Sequence, residues 1–395
     1  MANFSSLLHQ LTKELQSQSP LKSLSSQPRS ESPNNNNRKR ARQVDVKDFP
    51  PVEYVVLVCP AGIQTGGPEA LHQLCDKINT NTNDNDNPVK SMSMSMSMSI
   101  SASMVYCRSD GQSISFQSRA KRLEVYDRYD APTVRRNPFV NPNPQSTLLI
   151  WPECWTNEMI HYLETTTTPS PCAIWWLSVN NNTNRFQDWN RTDIMHLYQS
   201  EYARQHIVQH GAKYVYPMTE YIADTPILDN TKTRSMEVLF NPLKGIHYTD
   251  EIVKRSGTAF HIVPIGKGLH GQQRISPEQV REMLLQTKVY IDFGPHPGMD
   301  RLPREAALAG CLVVTNMEGA AGNHHDVPLP EKYKRKNFHV DEIHSLLKDL
   351  LSNYDARSKE LDNYRAWIHG QEERMNECVS QFLDIIVKGK QPTKT

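Results

Sequence analysis

The sequence predicts an α/β protein of two successive domains, each a parallel sheet covered by helices, facing each other across a cleft. Three stretches carry that prediction. A β-branched run, a glycine loop and a helix occupy residues 54–75, and the same pattern restarts at Met236. Residues 288–323, KVYIDFGPHPGMDRLPREAALAGCLVVTNMEGAAGN, then pack strand, glycine loop, helix, strand and second glycine loop into one βαβ-like unit.

The run YVVLVC at 54–59 reads as a buried strand, and PEALHQLC opens a helix at Pro68, with Pro in the first turn and Glu69 behind it as start signals. Strand, glycine turn and helix in this order open a Rossmann-like domain. Further strands are expected at 104–107, 147–151, 173–178 and 213–216, and a helix at 198–210. Residues 217–232 lack periodicity and read as a linker. Beyond it the expected order is strand 236–240, turn 241–245, helix 249–256, strand 260–265, helix 277–286, strand 288–293, helix 304–309 and strand 311–315. From Asp341 onward helix formers dominate, which fits C-terminal helices packing on the second domain and crossing back to the first. The expected organisation is a tail at 1–50, a Rossmann-like domain at 51–220 and a second at 233–395.

At 395 residues the chain is long enough for two domains. Its 44 basic and 43 acidic residues argue against bulk electrostatic binding to nucleic acid or an anionic membrane, while leaving a small charged ligand allowed. The seven cysteines are scattered without CxxC spacing and read as reduced core residues. No run approaches a membrane span and no signal core follows the N-terminus, so a soluble cytoplasmic protein is expected. The first 50 residues, rich in Ser, Gln, Asn and Pro, read as a disordered tail. Its cluster from Arg38 to Arg42 is either a nuclear address or a solvated charge run. Residues 79–103, an Asn/Asp run followed by alternating Ser and Met, read as a low-complexity surface insert.

The candidate site residues gather on loops at the carboxyl edges of the expected sheets, where helix N-termini offer free amides to anionic groups. The glycines of the first loop, Gly66 and Gly67, let backbone amides approach a phosphate or sugar, with Glu69 just behind; a plain βα turn is the alternative. Lys244 ends the first strand of the second domain, where an ammonium meets either a diphosphate or solvent. In the 288–323 segment, Glu305 is expected at the start of a helix, favoured there by the helix dipole. Arg301 suits a phosphate, or equally an internal pair with Asp300 or Glu305. His296 lies between two prolines, a restricted backbone that suits a donor aimed into a cleft or a structural histidine of the loop. His324, His325 and Asp326 are adjacent and point in different directions, so no metal site is expected from them. Glu153 follows the strand at 147–151 and is placed to face the cleft as a base, or to be a surface loop acid. Trp175 and Trp176 alternate faces, so at least one is core.

Together these pieces resemble the nucleotide-sugar glycosyltransferases of the GT-B fold, especially the group-1 or family-4-like branch, over residues 54–333 without the insert. The carriers are TGGPEALHQL, Lys244-Gly245, and PGMDRLPREA followed by GCLVV, set against a pattern of roughly E-G-F-G-L-x-x-x-E-A followed by G-x-P-V-V. The resemblance implies a first domain on the acceptor side and a second that binds the nucleotide sugar, Lys244 reaching the donor diphosphate and Glu305 the ribose. Gly298, Asp300 and Asn323 fall in the implied donor site, and His296, Arg301 and Glu153 are the implied catalytic candidates. The first glutamate of the pattern falls on Pro297, which has no carboxylate; His296 and Asp300 are the neighbours available to replace it. The expected activity is transfer of a sugar from a nucleotide-sugar donor to a hydroxyl acceptor, with no cofactor. A GT-B-like scaffold without catalysis and a sugar-nucleotide epimerase are the alternatives.

Overall fold

The computed structural model describes residues 51–83, 100–141, 143–181, 186–223, 234–257, 259–265, 275–336 and 338–388. The tail with its basic cluster, residues 84–99 of the expected insert and residues 224–232 of the expected linker lie outside that set. The chain forms two sheets with flanking helices.

The first sheet is built from β1 (Tyr54–Pro60), α1 (Gly66–Asn83), β2 (Ser101–Ser109), β3 (Ile114–Phe116), β4 (Thr147–Pro152), α2 (Thr156–Thr165), β5 (Cys172–Trp176), β6 (Ile194–Tyr198), α3 (Glu201–Gln209) and β7 (Val215–Pro217). Its order is β3-β2-β1-β4-β5-β6-β7, parallel throughout except for β3. Such a sheet is buried on both faces, which is why its strands read as continuous apolar runs. Val55, Leu57, Cys59 and Trp175 pack on one face, and Val56, Val58 and Trp176 on the other, so both tryptophans are core.

Two expectations shift. Tyr198 ends strand β6 instead of starting a helix; α3 begins after Ser200, whose hydroxyl accepts from the Ala203 N–H at 3.1 Å. The insert is also shorter than 79–103. Helix α1 continues to Asn83 and β2 starts at Ser101, joined by the Asn79 side chain, which bonds both the Ala102 carbonyl (3.2 Å) and its N–H (2.7 Å).

The second sheet follows as β8 (Met236–Phe240), α4 (Ile246–Ser256), β9 (Ile262–Pro264), α5 (Pro277–Leu285), β10 (Thr287–Asp292), α6 (Arg301–Leu308), β11 (Leu312–Asn316) and β12 (Lys334–Arg335), in the parallel order β12-β11-β10-β8-β9. Both sheets reverse their strand order once, between β1 and β4 and between β8 and β10, and these are the positions where open α/β sheets present a crevice at their carboxyl ends. Gly245, at φ +58°, brings the β8–α4 turn onto the β10 loop; a Cβ there would lie 2.4 Å from the Phe293 carbonyl oxygen.

Helices α7 (Val340–Ser352), α8 (Tyr354–Ser358), α9 (Asp362–His369) and α10 (Gln371–Lys388) complete the chain. Tyr364 and Ile368 of α9 lie in the second core, whereas Met375, Val379, Phe382 and Ile386 of α10 lie in the first, beside α1. The first core is therefore closed by the last helix of the chain. Phe382→Ala is expected to cost about 3–5 kcal/mol through the cavity it leaves; urea unfolding followed through first-domain tryptophan fluorescence measures it.

Candidate active site

The loops at the carboxyl ends of the two sheets meet, and the segment after β10 makes the contact. The Pro297 carbonyl accepts from the Val179 N–H at 2.9 Å, and the Met299 N–H donates to the Gln199 side-chain oxygen at 2.9 Å. Gly298 lies so close to the first domain that a Cβ would stand 2.0 Å from the Leu177 carbonyl oxygen. Asp326 adds another contact. Its carboxylate accepts from the Glu201 and Tyr202 N–H groups at 2.6 and 2.9 Å, occupying the N-terminus of α3.

Beneath these contacts sits a buried ion network. Glu220, 1% exposed, pairs with the Arg304 guanidinium, itself 1% exposed, and accepts from the Gln199 amide at 3.0 Å. Arg304 also donates to the Met299 and Asp300 carbonyls at 2.7 and 3.2 Å, fixing the loop that leads into its own helix. Arg301 faces three carboxylates at once: Glu69 at 3.2 Å, Glu220 at 3.4 Å and Glu305 at 3.4 Å. Burial works against its charge, but Glu220, Glu69 and Glu305 outweigh that and hold its pKa above the usual value.

A second chain of charges runs under the loop. Lys244 pairs with Asp300, which also accepts from the ring of the buried His296 at 2.8 Å, and the other side of that ring lies 3.7 Å from Asp292. Burial alone would lower the His296 pKa, yet the bond to Asp300 and the charges of Asp292 and Asp300 hold it above the ordinary value. Burial likewise works to raise Asp300, and His296 and Lys244 reverse it, leaving the carboxyl below its usual range.

Two cavities open beside this framework. One, of about 330 Å³, is lined from the first domain by residues including Thr65, Gly66, Glu153 and Asn181, and from the second by Met299, Asp300 and Arg301. The other, of about 500 Å³, lies between Tyr126 and Arg128 on one side and Ile275, Val280, Arg281 and Glu305 on the other. Arg301 and Gly66 line both, and a Cβ on Gly66 would come within 2.7 Å of the Arg301 side chain.

Glu153 is a buried acid of the first cavity and not a surface loop residue. Its oxygens accept from the Asn181 amide at 2.7 Å and the Leu177 N–H at 3.4 Å. Burial, opposed by these bonds, pushes its pKa up to about 7.

The structure therefore brings Gly66, Glu69, Arg301 and Glu305 into one cluster, with Gly67 on the smaller cavity, and Lys244, His296 and Asp300 into another. Asn323 lines neither cavity; its side-chain oxygen accepts from the His325 N–H at 2.8 Å, and its N–H donates to the Ala320 carbonyl, while the Ala320 N–H donates to the His296 carbonyl. Glu305 is not at a helix start, because α6 begins at Arg301 and has no acid in its first turn; the helix dipole does not hold it. Arg301 pairs with Glu305, whereas Asp300 turns to His296 and Lys244. Glu220, Arg304, Gln199 and Asp326 join the site without having been singled out for it. Glu220 lies in the stretch expected to be a linker, and its partner is 84 residues away, a separation that no local pattern encodes. Among the described residues no group of three or more His, Cys, Asp or Glu side chains is arranged to hold a metal ion.

No protein-family model matches the sequence, and no curated protein matches it. Solved structures do match the fold. A sucrose-phosphate synthase from Thermosynechococcus elongatus superposes with a TM-score of 0.53 at 10% identity, over 85% of this chain and 100% of that one. The apo form of a lipopolysaccharide outer core galactosyltransferase gives 0.51 at 11% identity, over 84% and 99%. TarM gives 0.48 at 12%, over 61% of this chain and 55% of TarM, so the match spans little more than half of that protein. Two α/β domains closing on a cleft at their carboxyl edges define this protein as one with the GT-B fold.

Glu220→Gln leaves the Arg304 charge buried without its counter-ion, and a loss of about 3–5 kcal/mol is expected in urea unfolding. Replacing both partners by apolar residues, Glu220→Leu with Arg304→Met, should recover most of it. Glu153 gives the opposite sign. A carboxyl whose pKa rises from 4.5 to about 7 on folding holds its proton more tightly when folded, so its contribution falls as pH climbs through that window and is level above it. Glu153→Gln should match wild type in thermal stability near pH 4.5 and exceed it by about 3 kcal/mol at pH 8.

Proposed function

We propose that this protein is a glycosyltransferase that moves a sugar from a nucleotide-sugar donor to a hydroxyl acceptor. The observation that carries the reading is the pair of cavities in the cleft, divided by Arg301 and by the glycine that opens α1. The larger has the volume and mixed lining that a nucleoside needs, with Ile275, Val280 and Leu302 as apolar surface and Glu305 as an acceptor for ribose hydroxyls. The diphosphate lies at the partition, where Arg301 and the amides at the start of α1 supply positive potential; Lys244, which lines neither cavity, acts through its pair with Asp300. The sugar then points into the smaller cavity beside Asp300, the carboxylate nearest in sequence to Pro297, and the acceptor enters from the first domain. Stabilising the departing diphosphate is the main catalytic task, and the closed domain contact keeps competing water out. Asn323, bonded within its own turn, has no part in this arrangement.

One observation favours a second reading, a GT-B scaffold that binds a nucleotide or glycan without transfer. Arg301, the cation offered to the diphosphate, is already paired with three glutamates. In an active enzyme the phosphates must draw it away.

The test is calorimetric titration with UDP, GDP and ADP, followed by incubation with the corresponding sugar nucleotides and detection of nucleotide release. Glu305→Ala is expected to weaken nucleotide affinity at least tenfold, about 1.4 kcal/mol, with little change in thermal stability, since its side chain is one-third exposed. Equal affinity in variant and wild type removes Glu305 from the donor site. Nucleotide binding with no release from any donor selects the scaffold.

A further inference from the structure

The two walls of the smaller cavity differ in chemistry. The second domain contributes Met299, Asp300 and Arg301, two of them charged, whereas the first contributes Pro60, Ile63, Pro68, Leu71, Pro152 and Leu177 as apolar lining. Pro68, Leu71 and Pro152 are buried and Pro60 and Leu177 half-buried, but Ile63, on the loop between β1 and α1, is 47% exposed. Covering its open part with the carbon atoms of a ligand is favourable in proportion to the area removed from water.

The charged and amide side chains of the first-domain wall are already occupied. Glu153 accepts from the Asn181 amide and from the backbone of Leu177 and Ser178. Gln199 gives its amide N–H to Glu220 and its oxygen to the Met299 N–H, and Glu220 is held by Arg304 and Arg301. Thr65 and Ser178 are the hydroxyl-bearing residues of that wall, enough to meet one reacting hydroxyl but not the several of a sugar. Each further hydroxyl that leaves water for this wall loses hydrogen bonds it does not regain, while a carbon skeleton gains by the same transfer. The donor sugar is served by the other wall. Asp300 has about four acceptor positions and uses two of them for Lys244 and His296, which leaves room for sugar hydroxyls.

Resting on the transferase reading, we propose that the acceptor is an uncharged alcohol on an apolar carbon skeleton, which lies against the first-domain wall with Ile63 covering its outer end. Charge limits what the skeleton can carry. Glu153, Glu220 and Asp300 stand on the cavity against one cation among the described lining residues, Arg301, and that cation already faces Glu69, Glu220 and Glu305. A carboxylate or phosphate on the acceptor would meet carboxylates and no uncommitted cation.

The experiment offers the full chain UDP-, GDP- and ADP-linked hexoses with phenethyl alcohol, with its ring-carboxylated analogue or with methyl β-glucoside, and reads product by mass spectrometry. The kcat/KM for phenethyl alcohol is expected to exceed that for either of the others by about tenfold or more. Ile63→Ser should raise the KM for phenethyl alcohol about tenfold while the donor KM stays within about twofold, and Ile63→Leu should restore it. Because Ile63 is half exposed, thermal unfolding of both variants should match wild type, which separates a lost contact from a lost fold. Preference for methyl β-glucoside or for the carboxylated analogue, transfer to water alone, or an Ile63→Ser variant with the wild-type KM overturns the inference and leaves the transferase reading standing. Nucleotide binding without turnover of any donor overturns the inference together with transfer. Absence of nucleotide binding overturns the donor site as well.

Discussion

The arrangement of this molecule depends on one buried carboxylate. Glu220 reaches the Arg304 guanidinium from the stretch after β7, and the same carboxylate faces Arg301 and accepts from Gln199. Through Arg304 it fixes the carbonyls of Met299 and Asp300, and through Gln199 the Met299 N–H. The loop after β10 is thus clamped from both domains. A buried ion pair adds little net stability, because desolvating two charges offsets most of their attraction. Its effect is on geometry: Glu220 holds Arg304 and Gln199, which together hold the loop that docks on the first domain.

That clamp decides what each ionisable group near the cleft can do. Asp300 and Glu220 are both paired with cations, the Asp300 carboxyl is held below its usual range, and His296, enclosed by Asp292 and Asp300, is held toward its charged form. His296 therefore lies behind Asp300 and orients it, a different position from that of a donor aimed into the cleft. The cations are equally committed. A polyanion entering the cleft must exchange with protein carboxylates for Arg301, whose three partners lie at 3.2–3.4 Å and so hold it by proximity more than by any one short bond. Such an exchange keeps the guanidinium compensated throughout, so it costs less than stripping a charge bare.

Much of the fold was legible because buried parallel strands leave a strong trace. The run at 54–59 is apolar throughout and that at 236–240 is apolar except for Glu237, and their positions in the structure differ from the reading by a residue at most. Elements with less burial left less. β3 and β12 have three and two residues, too short for a period to show. Helix α6 starts three residues before the expected 304, and Pro303 lies inside it. That proline occupies the first turn, where N–H groups have no intrahelical acceptor and a missing donor costs nothing. For the site, residues on the glycine loops could be nominated, since loops at the carboxyl edge are where such sheets bind. The partners of those residues could not. Glu220 with Arg304, and Asp326 with the start of α3, are tertiary contacts across 84 and 125 residues, made by acids in segments without periodicity.

The chain passes between the domains twice, and both passages lie side by side. The first leaves β7 through residues 218–223, and the second runs from Ile368 in the second core to Met375 in the first. They are tied by the buried Thr219 hydroxyl, which donates to the Gln371 side-chain oxygen at 3.0 Å. A domain joined to its neighbour by two adjacent strands of chain has one easy motion, rotation about the line through both. Glu220 follows Thr219 directly, so the residue that clamps the cleft stands beside that axis, while the Gly298–Leu177 and Asp326–α3 contacts are made by the facing loops themselves. Opening the cleft would break the loop contacts and strain the clamp least.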